Sequence, residues 1–94
     1  MKYTVVQTAQ FVRDVRRLRK RGLEISKLEN VVGILSLGGI LPRQFRDHAL
    51  KGENAGKREC HISPDWLLVY RKREREITLE LIRTGTHRDV GFER

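Results

Sequence analysis

The stretch 57–71, KRECHISPDWLLVYR, decides the fold. From Lys57 to Ile62 the residues alternate, Cys60 and Ile62 on one side and Lys57, Glu59 and His61 on the other, which is the period of a β-strand. Ser63-Pro64-Asp65-Trp66 is a turn tetrapeptide with proline at its second position, where a fixed φ favours the bend. Trp66 to Arg71 is then the return strand of a hairpin. The charged run Lys72 to Glu76 makes a second turn, and Ile77, Leu79 and Leu81 alternate in a last strand ending near Arg83. On the upstream side, Pro42, Gly52 and Gly56 punctuate short runs without helical period as far back as Leu41.

Before Leu41 the period changes. Lys2 to Gln7 is short and β-rich, and Thr8 is placed to cap a helix. Phe11, Val15 and Leu18 recur at helical spacing, Arg13, Arg16, Arg17, Arg19, Lys20 and Arg21 fill the other faces, and Gly22 stops the run. Ile25, Leu28, Val32 and Leu35 repeat the pattern, so a second helix packs antiparallel on the first and ends at Gly38-Gly39. The expected architecture is α+β: an N-terminal strand, a two-helix hairpin, then an antiparallel meander of three or four strands, with the helices gathered on one face. Residues 1–94 read as one domain without repeats or linkers.

Twenty Lys and Arg against 12 Asp and Glu leave a net charge of +8 on 94 residues. That size permits one modest core and excludes a two-domain enzyme. The charge makes a polyanion the first partner to consider. A lone cysteine, Cys60, excludes an internal disulfide framework and any cysteine-rich zinc site, and reads as a small buried hydrophobe. The longest uncharged apolar stretch, Val31 to Leu41, includes three glycines and falls short of a membrane span, and Met1 to Gln10 has no signal-peptide apolar region. The expected location is the cytoplasm, with no membrane partner.

All three histidines, His48, His61 and His87, lie in the second half near expected strand ends, each with a charged neighbour: Asp47, Asp65 and Arg83 respectively. Strand ends converge in space while their sequence separations stay large. Zinc is a poor fit, because no pair has helical HxxxH spacing and the positive charge opposes a dication. Acid-base chemistry fits better: imidazole titrates near neutrality, a positive surround lowers its pKa, and a carboxylate can hold another ring protonated. Beside an arginine, that set suits a phosphodiester. RNA carries its own nucleophile, the 2′-hydroxyl, so a metal-free catalyst needs a base for that proton, an acid for the leaving 5′-oxygen and a cation for charge building on phosphate.

Strand parity places Arg83 with Ile77, Leu79 and Leu81, so a bulge or the strand end must turn it towards such a site. Among the aromatics, Tyr70 reads as core; Trp66 and Phe92 are candidates to stack on bases, with core packing the alternative for Trp66. The basic helix, through Arg13, Arg16, Arg17 and Lys20, is a candidate phosphate-contacting face.

The segments Asp47-His48-Ala49-Leu50-Lys51-Gly52, His61-Ile62-Ser63-Pro64-Asp65-Trp66 and Arg83-Thr84-Gly85-Thr86-His87, in that order after a helical hairpin, resemble the YafQ branch of the RelE superfamily, bacterial type II toxins. The resemblance covers essentially the whole chain. It implies a microbial-ribonuclease-like fold, mRNA cleavage on the translating ribosome and neutralisation by a cognate antitoxin, which the +8 charge of this chain predicts to be acidic. By motif position it makes His48, His61, Asp65 and His87 the catalytic set and Arg83 the phosphate contact, and Lys51 joins the RNA-binding residues. Where the family has an aromatic residue four positions after the last histidine, this chain has Gly91, with Phe92 one later.

The expected function is therefore a ribosome-dependent, metal-independent endoribonuclease needing no cofactor, with His87 as acid, His48 or His61 as base, and the acid and base labels open to exchange. The alternative is a non-catalytic basic module: an RNA-binding protein or a ParE-like inhibitor of a protein target. A DNA-binding repressor fits less well, since the second helix, Ile25 to Leu37, has too few polar residues to read bases.

Overall fold

In the computed structural model, which describes residues 2–91, the chain runs through strand β1 (Thr4–Gln7), helices α1 (Ala9–Lys20) and α2 (Ile25–Ser36), strands β2 (His48–Ala49), β3 (Arg58–Ser63), β4 (Trp66–Arg73) and β5 (Thr78–Gly85), and a one-turn helix α3 (His87–Val90). Short 3₁₀ turns at Arg43–Phe45 and Gly52–Asn54 flank β2. The helix boundaries follow from local chemistry. Thr8 Oγ1 accepts the Phe11 amide at 3.0 Å, capping α1. Both long helices end on a glycine at positive φ, Gly22 at 87° and Gly38 at 80°, with the paired amide-to-carbonyl bonds of a Schellman turn.

The antiparallel meander holds for all of β2, β3, β4 and β5, but the sheet as a whole has five strands and is mixed. Its order is β1-β5-β4-β3-β2, and β1 runs parallel to β5, with Thr4 beside Thr78 and Gln7 beside Leu81. The excursion through α1 and α2 and back through the meander supplies the crossover that a parallel pair requires.

β4 lies at the centre and is buried on both faces: Leu67, Leu68, Val69 and Tyr70 are all 0% exposed. On one face Trp66, Leu68 and Tyr70 join Cys60, Ile62, Leu79 and Leu81 in a core covered by Phe11, Leu18, Leu28, Val31 and Leu35 of the helices. On the other, Leu67 and Val69 pack with Val90 of α3, beside Leu50 and Ile82. That second face also carries His48, Glu59 and Arg83.

Candidate active site

The strand register gathers the chemistry. His48 on β2 pairs with Glu59 on β3, Glu59 with Val69 on β4, and Val69 with Arg83 on β5, so all four side chains share the face opposite the long helices. His61, two residues beyond Glu59, lies on the same face. Arg83 reaches it because the β4–β5 register shifts between Val69 and Tyr70, leaving Ile82 as the extra residue. Parity along β5 alone would have sent Arg83 to the helix side. The bulge reverses it.

His61 and His87 meet with ring centroids 5.7 Å apart and planes tilted by 57°. His87 is the first residue of α3, whose cap is a capping box: Thr86 Oγ1 accepts the Asp89 amide, and Asp89 accepts the Thr86 amide. Asp65, at the β3–β4 turn, accepts from both the backbone amide (3.1 Å) and Nδ1 (2.6 Å) of His87. A carboxylate can only accept when ionised, so Nδ1 of His87 carries a proton and Nε2 is the nitrogen offered outward. The His87 bond holds the Asp65 carboxyl below the usual carboxylate range. Burial pushes the His61 imidazole below its ordinary value, the Arg46 and His87 charges act in the same direction, and the Pro64 carbonyl and Glu59 oppose them. His61 is thus biased towards the neutral form that a base needs.

His48 is set by a different frame. Its Nδ1 donates to the Arg46 carbonyl at 2.8 Å, and Nε2 lies 3.4 Å from a carboxylate oxygen of the fully buried Glu59. The preceding residue, Asp47, is anchored from behind: the buried Tyr70 hydroxyl donates to it at 2.6 Å, and Arg58 adds a two-pronged contact.

Arg83 is held with equal care. Its Nε donates to Asp14 Oδ2 at 2.8 Å, while Nη2 reaches Asp14 Oδ1 at 3.2 Å and the Asp89 carbonyl at 3.1 Å. Asp14, on α1, is completely buried and also accepts the Thr84 amide. It covers the β5 edge just past the end of β1. Burial alone would raise its pKa; the bonds from Arg83, Gln10 and the Thr84 amide, with the Arg83 charge, outweigh that and lower it.

Among the residues marked out by sequence, His61, Asp65 and His87 form one contiguous group, and His48 and Arg83 lie on the same face. Trp66 is a correction. It is 4% exposed, faces the helices and donates Nε1–H to Thr84 Oγ1 at 2.9 Å, so it presents no surface on which a base could stack. On α1, Arg13, Arg16 and Lys20 are exposed, as is Lys51 after β2. Arg17 is turned inward to Asp14 at 3.2 Å and Asp89 at 3.8 Å, so part of its charge is already matched within the chain. Phe92 lies outside the described residues. Glu59 and Asp14 were missed as site residues. Strand alternation had already set Glu59 beside His61, and Asp14 falls on the Phe11–Leu18 stripe of its helix, where a carboxylate must find partners.

Cys60 is fully buried and its thiol is pushed up to about 12 by burial, which makes it inert packing. Among the described residues, no group of three or more His, Cys, Asp or Glu stands in an arrangement that could hold a metal ion, and no helix is long and apolar enough to cross a membrane.

Residues 3–91 match the family model described as bacterial toxin of type II toxin-antitoxin system, YafQ. The chain belongs to the YafQ family. A relative within it, the mRNA interferase toxin YafQ of Escherichia coli K12, is 35% identical over 81 residues, covering 85% of this chain and 86% of the relative. The crystal structure of a metal-bound toxin from Helicobacter pylori superposes with a TM-score of 0.88 at 39% identity, covering 94% of this chain and 98% of the other. YafQ in the E. coli DinJ–YafQ toxin-antitoxin complex superposes with a TM-score of 0.86 at 31% identity, covering 96% and 98%. The α+β fold with its N-terminal strand and two helices is thus the YafQ fold.

Proposed function

We propose that this chain is the toxin of a type II pair, an mRNA interferase that cuts message on the translating ribosome and is silenced by a cognate acidic antitoxin in the cytoplasm, with residues 1–94 acting as one toxin domain. The observation that carries the chemistry is the meeting of His61 and His87 at 5.7 Å with Asp65 on the far nitrogen of His87. One phosphate can touch both rings. His61, favoured neutral, takes the 2′-hydroxyl proton, and the 2′-oxygen attacks phosphorus. His87, oriented by Asp65, gives the Nε2 proton to the departing 5′-oxygen. The products are a 2′,3′-cyclic phosphate and a 5′-hydroxyl end. Arg83 offsets the charge that builds on the phosphate, and His48, bound to the Arg46 carbonyl and Glu59, is the second candidate for base. No step needs a metal. Arg13, Arg16, Lys20 and Lys51 supply exposed charge for the RNA backbone, and Arg17 adds what Asp14 and Asp89 leave unmatched.

The test is cleavage of a reporter mRNA by ribosome complexes in a strong chelator buffered with enough magnesium to keep the ribosome intact. His87→Ala is expected to lower the rate by about 10²–10⁴-fold while antitoxin binding is unchanged. Products ending in 5′-phosphate, or equal rates for His87→Ala and wild type, would overturn the mechanism. The non-catalytic alternative predicts growth arrest that His87→Ala leaves intact.

A further inference from the structure

At His61 the chain forms a cleft whose other lining residues the acid-base chemistry does not use. One wall is the 3₁₀ turn Arg43–Phe45 and its following residue Arg46; the other is the end of β3 and the hairpin turn, with His61, Ser63 and Pro64. Phe45 is half-buried and packed against the main core, and the exposed Pro64 is a second apolar residue of the lining. Gln44 and Arg46 are exposed at the rim. The turn is not a slack loop. Arg46 sits in the left-handed region at φ 49°, where a side chain is disfavoured, and the carbonyl of that same residue receives Nδ1–H of His48. The cleft wall and His48, the second candidate for base, are therefore tied to each other through the backbone of Arg46.

A flat group with apolar faces and a polar edge fits this lining, and the only such group that a phosphodiester at His61 brings with it is a nucleobase. We infer that the Phe45–Pro64 cleft is a base subsite: it takes the nucleobase flanking the scissile phosphate, with Phe45 as the stacking surface and Gln44 and Arg46 reading the base edge. The inference rests on the endoribonuclease reading. It adds a source of sequence preference within the toxin. The fixed turn also delivers the phosphate to His61 at a set distance from the held base.

The experiment maps 5′-hydroxyl ends on one reporter mRNA translated with wild type, Phe45→Leu, Phe45→Tyr and Gln44→Ala, together with antitoxin affinity and thermal midpoint for each. Leucine keeps an apolar contact with the core and removes the stacking plane, so Phe45→Leu is expected to lower cleavage at favoured sites by roughly 5- to 150-fold and to flatten the base preference there, the usual worth of one stacked base. Tyrosine keeps the plane and should retain the wild-type pattern. Gln44→Ala, at an exposed position that leaves folding alone, should reorder the preferred bases. A pattern of cut sites identical to wild type in both Phe45→Leu and Gln44→Ala would overturn the subsite, as would weakened antitoxin binding with the cut sites unchanged, which would assign the cleft to the antitoxin. Wild type that leaves message intact would instead remove the endoribonuclease reading itself.

Discussion

Replacing Asp14 tests how the arginine of the site is held. Five polar atoms converge on this one carboxylate: Arg83 Nε and Nη2, the Thr84 amide, Gln10 Nε2 and Arg17 Nη1, all between 2.8 and 3.2 Å. The Asp14 side chain is 0% exposed and that of Arg83 25%. Removing one partner of a buried pair leaves the other charge uncompensated and typically costs about 3–5 kcal/mol; the partial access of Arg83 to water places Asp14→Ala near the lower end, about 3 kcal/mol. For a domain of this size that lowers the thermal midpoint by roughly 12–24 °C. Asp14→Asn keeps one accepting oxygen but sets an NH2 group against donors, so it should recover little. In urea denaturation of the antitoxin-free toxin near pH 7, Asp14→Ala/Arg83→Ala should be no less stable than Asp14→Ala alone, because the stranded cation is gone. The pH dependence has a definite sign. The folded pKa of Asp14 is depressed, so its contribution is fully present above the unfolded value of about 4 and is lost as pH falls through the lower folded value. Asp14→Asn should therefore lose less stability than wild type on acidification below pH 4. An Asp14→Ala variant within about 1 kcal/mol of wild type, or strictly additive losses with Arg83→Ala, would refute this account.

Other outcomes follow from single contacts. A Cβ at Gly85 would stand 2.7 Å from Asp89 Cβ at a φ of 150°, so Gly85→Ala should unseat the α3 cap, cut cleavage more than it lowers the thermal midpoint, and loosen the His87–Asp65 bond as read by imidazole NMR shifts. Trp66→Phe keeps the core filled but leaves Thr84 Oγ1 without its indole donor, at a cost of about 1 kcal/mol in urea unfolding and with RNA affinity unchanged; a stability equal to wild type with weaker RNA binding would contradict the buried assignment. Because burial pushes the His61 imidazole below its ordinary value, the acid limb of single-turnover cleavage should fall at a lower pH than an unperturbed histidine would give, and His61→Ala should abolish this limb of the profile. Cys60 should resist alkylation in the folded protein and react at once in urea.

What was legible in the sequence is what depends on near neighbours. The Thr8 cap, the Gly22 and Gly38 stops and the Pro64-Asp65 turn are each decided within a few residues, and the structure places them where the pattern does. The conflict between Arg83 and its strand parity even announced a bulge, which the Val69/Tyr70 register shift supplies. The parallel pairing of β1 with β5 was not legible, because nothing local in Thr4–Gln7 names its partner. Trp66 was ambiguous for the same reason: only the strand's rotation into the sheet decides that its ring meets the helices. Asp14 was hidden by its company, a carboxylate among arginines that reads as a solvated face until the β5 edge is set against it. The one-turn helix α3 is too short to show a period, yet it positions His87.

The place of β1 against β5 has a consequence for the birth of the protein. The first strand of the described chain finds its neighbour only when the last one exists, and Asp14 likewise waits for Arg83 and Thr84. Contacts this distant in sequence form late, after the cost of closing a long loop has been met. While synthesis proceeds, α1 and α2 have no finished sheet to lie on, and neither His87 nor Arg83 has been made. A chain halted at Glu76 would lack β5, α3 and both of those residues, and it should be protease-sensitive and without effect on growth; resistance to trypsin in such a chain would count against this order of assembly. On the proposed site assignment, the growing chain should be without cleavage activity towards the ribosome that is making it until β5 takes its place between β4 and β1.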